Sequence, residues 1–90
     1  MARLERTFLI VNVLGLHARA AAQLVQTANR YRAEVRVEKD GMDVNGKSIM
    51  GVLTLAAAKG TQINLTCEGE DAGETMAALA ALIENGFREK

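Results

Sequence analysis

The sequence predicts an α+β fold: a four-stranded, mostly antiparallel sheet with helices covering one face. Three observations lead there. Segments with apolar residues at every second position alternate along the chain with segments that carry them at helical spacing. Asp40-Gly41 separates two short apolar stretches, a tight hairpin signal that requires antiparallel neighbours. The chain has 90 residues and is 49% hydrophobic, enough for one core and too little for two, so residues 1–90 are expected to form a single domain.

Residues 6–13, RTFLIVNV, are rich in β-branched and aromatic types and predict the first strand, which Leu14-Gly15-Leu16 ends. From Ala18 to Tyr31 the apolar positions Ala21, Leu24, Val25, Ala28 and Tyr31 fall on one helical face. Ala33, Val35 and Val37 alternate with Glu34, Arg36 and Glu38, a strand with one buried side. Met42 and Val44 continue it beyond the hairpin, as far as Asn45-Gly46. Ser48 caps a short helix that runs to about Leu55, and Lys59-Gly60 makes a turn. Ile63, Leu65 and Cys67 alternate with polar residues in a fourth strand. Asp71 and Glu74 have the spacing of a capping box before a helix whose apolar face is Met76, Leu79, Ala80 and Ile83. Asn85-Gly86 ends that helix, with Phe87 placed to fold back onto Leu82. The order is β-α-β-β-α-β-α.

Composition excludes several classes of function. Lys plus Arg and Asp plus Glu both number 11, so the basic surplus of a nucleic-acid binder is missing. One Tyr and two Phe are too few for a base-stacking platform. Cys67 is the only cysteine and His17 the only histidine, which leaves no Cys/His zinc set. Cys67 has no internal disulfide partner and reads as a small buried hydrophobe on its strand. No run approaches the roughly 18 apolar residues of a membrane span, and MARLERTFLI has no signal-peptide core. The expectation is a cytoplasmic protein with no membrane insertion, no bound metal and no cofactor.

The one candidate for chemistry is GLHARAA, residues 15–21. The helix begins among Leu16, His17, Ala18, Arg19 and Ala20, none of which is an oxygen-bearing cap. The N–H groups of Ala18, Arg19 and Ala20 are therefore left to point outward, where a helix start attracts anions. Arg19 adds a guanidinium fork suited to phosphate oxygens. Its charge is unfavourable against the helix dipole unless an anion arrives. A neutral imidazole in such a place is a nucleophile able to form a covalent intermediate. On these residues alone, a plain surface histidine, or one that caps the helix with a ring nitrogen, is the favoured reading of His17, because a single histidine beside an arginine is a weak signal.

GLHARAA, followed by AQLVQTANRY and then by VNGKSIMGVLTLAAAKGTQINLTCEGEDA, resembles the HPr family, the histidine-containing phosphocarriers of the bacterial phosphotransferase system. The likeness covers about residues 6–87. It implies an open-faced β-sandwich of four strands under three helices. It implies that His17 accepts a phosphoryl group on Nδ1, from phosphorylated enzyme I charged by phosphoenolpyruvate. Arg19 would assist, and a histidine of an enzyme IIA domain would receive the group. Such a protein is a carrier with a covalent phosphohistidine intermediate rather than a free-standing catalyst, and a monomer that docks several partners in turn. One position departs from the family pattern: Ala20 stands where proline is usual. Alanine keeps helix propensity and adds an N–H, so the expected effect is on loop stiffness and rate.

KSIMGV, residues 47–52, resembles the regulatory serine segment of carriers from bacteria that possess HPr kinase/phosphorylase. Ser48 is an N-cap in any case, and phosphate there would sit at a helix start beside a docking surface. Ile49, Met50 and Leu53 divide between core and surface in a short amphipathic helix. The resemblance implies that the docking surface comprises Ala18, Ala22, Gln23, Lys47, Ile49, Met50 and Leu53. LIENGF looks like a nitrogen-related carrier, while KSIMGV looks like the kinase-regulated type, so the branch stays open. The alternative reading is a regulatory module of a nitrogen-related branch, or an effector controlled by phospho-Ser48, with no role in sugar transport.

Overall fold

The computed structural model describes residues 2–89. The strands are β1 (Ala2–Leu9), β2 (Glu34–Lys39), β3 (Met42–Asn45) and β4 (Gln62–Gly69). The helices are α1 (Ala18–Ala28), α2 (Ile49–Thr54) and α3 (Ala72–Glu84). They follow in the predicted order, and the sheet order is β1-β4-β2-β3 with every pairing antiparallel. This is the open-faced α+β sandwich.

Period-two alternation decides which face is covered. Phe8, Val35, Val37, Ile63, Leu65 and Cys67 are buried toward the helices. The residues between them form a polar outer face, where Thr7 donates to Asn64 and Arg36 donates to Asp43 across neighbouring strands. From the helices, Ala20, Ala21, Leu24, Val25 and Ala28 of α1, Val52 of α2, and Met76, Leu79 and Ile83 of α3 complete one buried cluster. Cys67 lies in it as a free thiol, and burial pushes its pKa up. No helix of the described residues is long and apolar enough to cross a membrane.

Three local expectations are corrected. Residues 6–13 carry the strand pattern in the sequence, but β1 runs from Ala2 to Leu9. β4 is long enough to pair Ala2 with Gly69, and at its other end it runs out at Gln62, opposite Leu9. β1 is a sheet edge with only Phe8 buried, so its charged residues hid the strand. Helix α1 ends at Ala28 rather than Tyr31: the N–H of Arg30 bonds to Thr27 and that of Tyr31 to Ala28, tightening the last turn. Asp71 precedes α3 but does not cap it with its side chain. Its carboxylate instead accepts the N–H groups of Arg32 at 2.9 Å and Ala33 at 2.8 Å, which start β2. Beyond α3, Gly86, Phe87 and Arg88 all have positive φ (63°, 55° and 57°), a left-handed turn that buries Phe87. Outside glycine such backbone costs roughly 1–2 kcal/mol per residue, so contacts elsewhere must hold this turn.

Candidate functional site

His17 is held by the residues before and after it. Leu16 is buried and donates its N–H to the Ala57 carbonyl at 2.8 Å. Upstream, the Gly15 N–H closes a turn on Asn12 at 3.2 Å, and Asn12 Nδ2 returns to the Gly15 carbonyl at 2.8 Å. Downstream, Ala20 and Ala21 are fully buried and root α1 in the core. His17 is thereby fixed as the N-cap of α1, with extended backbone (φ −74°, ψ 179°) and no hydrogen bond from its side chain to the helix. The reading in which a ring nitrogen caps the helix is therefore not the one the structure adopts.

The N–H groups of Ala18, Arg19 and Ala20 donate no hydrogen bond among the described residues; the first helical bond is from Ala21 to the His17 carbonyl. Ala18 and Arg19 lie at the surface, whereas Ala20 is fully buried. Two of the three expected donors thus belong to residues at the surface. No acidic residue occupies the first turn. The helix start has unpaired donors, a positive dipole end and a guanidinium, with nothing anionic from its own turn to neutralise them.

A cleft of about 760 Å³ opens over this helix start. His17, Ala18, Arg19 and Gln23 line one side of it, and Leu14, Phe87, Arg88 and Glu89 the other. Gln23 Oε1 is buried without a hydrogen-bond partner and is a spare acceptor in this wall. Of the opposite wall, the sequence singles out neither Arg88 nor Glu89. Glu89 Oε2 accepts from Asn12 Nδ2 at 3.0 Å, its Oε1 accepts the Leu14 N–H at 3.2 Å, and Oε2 lies 3.6 Å from His17 Nε2. The hydrogen bond from Asn12, then that from Leu14, hold the Glu89 carboxyl below the usual carboxylate range. No local motif announces Arg88 or Glu89; the left-handed turn after α3 brings them some 70 residues back along the chain.

The remaining predicted residues lie toward α2, which packs against α1. Ser48 is the N-cap of α2, and its Oγ accepts the Gly51 N–H at 3.1 Å. The split expected in this short helix is resolved: Met50 (72%) and Ile49 (42%) are exposed, Val52 is buried, and Leu53 packs partly against the core. Ala22 and Gln23 are half-buried. Lys47 is half-buried as well, because its ammonium donates to the Tyr31 carbonyl at 2.7 Å. It braces the loop before α2 instead of standing free.

Comparison with known proteins supplies the frame for this geometry. A family profile described as the PTS HPr component phosphorylation site matches residues 4–85. The phosphocarrier protein HPr of Neisseria meningitidis is 51% identical over 86 residues, covering 96% of this chain and 97% of that protein. The crystal structure of HPr-C-His from Thermoanaerobacter tengcongensis superposes with a TM-score of 0.93 at 46% identity, over 97% of this chain and 98% of that one. Crh, the Bacillus subtilis catabolite-repression protein seen as a domain-swapped dimer, superposes with a TM-score of 0.74 at 49% identity, over 80% of this chain and 83% of its own. With its solitary histidine at an uncapped helix start on this sheet, the chain belongs to the HPr family of phosphotransferase-system phosphocarriers.

Proposed function

We propose that His17 is the residue that carries the phosphoryl group, through Nδ1. The observation that carries this reading is the uncapped start of α1: His17 at the N-cap, with the N–H groups of Ala18 and Arg19 unpaired beside it. The Nδ1 lone pair attacks phosphorus, the bond from phosphorus to a histidine nitrogen of enzyme I breaks, and that nitrogen keeps the electron pair. The incoming oxygens then meet backbone donors and the Arg19 guanidinium, which need no rearrangement to receive them. Transfer to a histidine of an enzyme IIA domain is the same step run outward.

The whole chain acts as one domain and one copy, in the cytoplasm. Exposed Ile49 and Met50, with Ala18, Ala22 and Gln23, give partners an adaptable apolar surface beside the reactive ring. Leu53 supports this surface from below, and Lys47 borders it. Phosphate on Ser48, placed there by an HPr kinase/phosphorylase, would add about two negative charges at this surface and weaken docking to acidic partners. The likeness to Crh favours a second reading, in which the chain is an effector controlled through Ser48.

The experiment is intact mass after incubation with phosphoenolpyruvate and enzyme I, alongside His17→Ala. The proposal expects one acid-labile phosphoryl group on the parent chain and none on the variant. No gain, with enzyme I active on another carrier, would overturn it and leave the effector reading. Size-exclusion chromatography tests the single-copy claim, and a mass of two chains at working concentration would refute it.

A further inference from the structure

We propose that Glu89 is a positioning residue for phosphoryl transfer at His17: its carboxylate faces the Nε2 edge of the ring, keeps the proton there and leaves the Nδ1 lone pair free for phosphorus. This rests on the reading of His17 given above. Glu89 Oε2 is 3.6 Å from Nε2 and is the one carboxylate in ion-pair range of the ring among the described residues. It is not a loose surface group. Only 15% of its side chain is exposed, and it is tied to Asn12 Nδ2 and the Leu14 N–H, both in the loop that leads into His17. The turn that delivers it is left-handed through Gly86, Phe87 and Arg88, and buried Phe87 anchors that turn. Strained backbone kept in place by contacts on both sides is found where a side chain must be held at a particular spot.

The chemistry needs such a group. When Nδ1 gives its lone pair to phosphorus, the new N–P bond forms and the donor's P–N bond breaks. The ring then carries a positive charge shared with Nε2–H. Arg19 and the α1 N–H groups disfavour that charge, since they are arranged for the anion. A carboxylate on the opposite edge offsets it without touching the phosphoryl oxygens. The arrangement follows a general pattern, in which a carboxylate on one imidazole nitrogen fixes the tautomer and steadies the cation while the other nitrogen reacts.

The test compares the parent chain with Glu89→Gln and Glu89→Asp, using phosphorylated enzyme I made from phosphoenolpyruvate as donor. Removing the carboxylate that orients a metal-bound histidine typically costs about 10–100-fold, and a contact of 3.6 Å, longer than a hydrogen bond, points to the lower end here. The expectation for Glu89→Gln is a kcat about tenfold lower with KM for the donor unchanged, and for Glu89→Asp partial recovery. In ¹H–¹⁵N spectra the Nε2–H signal should shift in Glu89→Gln while the α1 amides stay in place, showing an intact fold. Parent-like kcat in Glu89→Gln, or a loss confined to KM, overturns the proposal while leaving His17 as the carrier. If the parent chain itself takes no phosphoryl group, the His17 reading falls and this inference falls with it.

Discussion

Replacing Gly15 by alanine tests the loop that presents His17. Gly15 has φ +67°, and an added Cβ would stand 2.4 Å from the Ala57 carbonyl oxygen and 2.9 Å from Ala58 Cα. Both obstacles are backbone, and the Ala57 carbonyl already accepts the Leu16 N–H at 2.8 Å, so it cannot withdraw without giving up that bond. The left-handed conformation costs an L-residue roughly 1–2 kcal/mol, and overpacking against a fixed wall adds roughly 1–3 kcal/mol. Together these give about 2–5 kcal/mol. In a domain of this size each kcal/mol moves Tm by roughly 4–8 °C, so a drop of at least about 8 °C is expected. Gly41→Ala is the control: its φ is +84°, but nothing lies within 4 Å of the added Cβ, so only the conformational cost applies. Thermal and urea unfolding followed by circular dichroism measure both. Equal losses for the two variants would refute the steric argument, and with it the claim that the 10–16 loop is fixed against the Ala57–Ala58 backbone.

Two further outcomes follow from the caps and ties. The Arg32 N–H, with help from Ala33 and Lys47, holds the Asp71 carboxyl below its ordinary range. A carboxyl depressed in the folded state stabilises the fold above its unfolded pKa of about 3.9 and loses that contribution as pH falls through the folded value. Stability of the parent should therefore decline below about pH 4. Asp71→Asn should be weaker at neutral pH and flatter in acid, and urea midpoints from pH 2 to 7 that run parallel for the two would contradict this. Ser48→Ala removes the acceptor of the Gly51 N–H and should cost about 1 kcal/mol, while Ser48→Asp keeps a cap oxygen and should cost less; denaturant titration of both checks it.

The order of elements and the covered face of the sheet were legible because alternation and helical spacing are local signals, as at Val35-Val37 and Leu24-Val25. Ser48 was legible as a cap for the same reason. Asp71 was misread because the local rule competes with the N–H groups of Arg32 and Ala33, which stand far off in sequence and close in space. The strand at Ala2–Glu5 was hidden because an edge strand can carry charges where an inner one cannot. At the site, His17, Arg19 and the missing cap could be read from seven consecutive residues. Glu89 could not, since only the left-handed turn at Gly86–Arg88 and the burial of Phe87 bring it to the loop before the histidine.

The most direct measurement of the central claim is a ¹H–¹⁵N spectrum of the uniformly labelled protein before and after phosphorylation by enzyme I and phosphoenolpyruvate. The account predicts that the amide protons of Ala18 and Arg19 move downfield, as donors that gain phosphate oxygens, with smaller changes near Leu14 and Glu89. Shifts centred instead on Ser48 and Gly51, with Ala18 and Arg19 unmoved, would contradict the claim that the start of α1 holds the phosphoryl group.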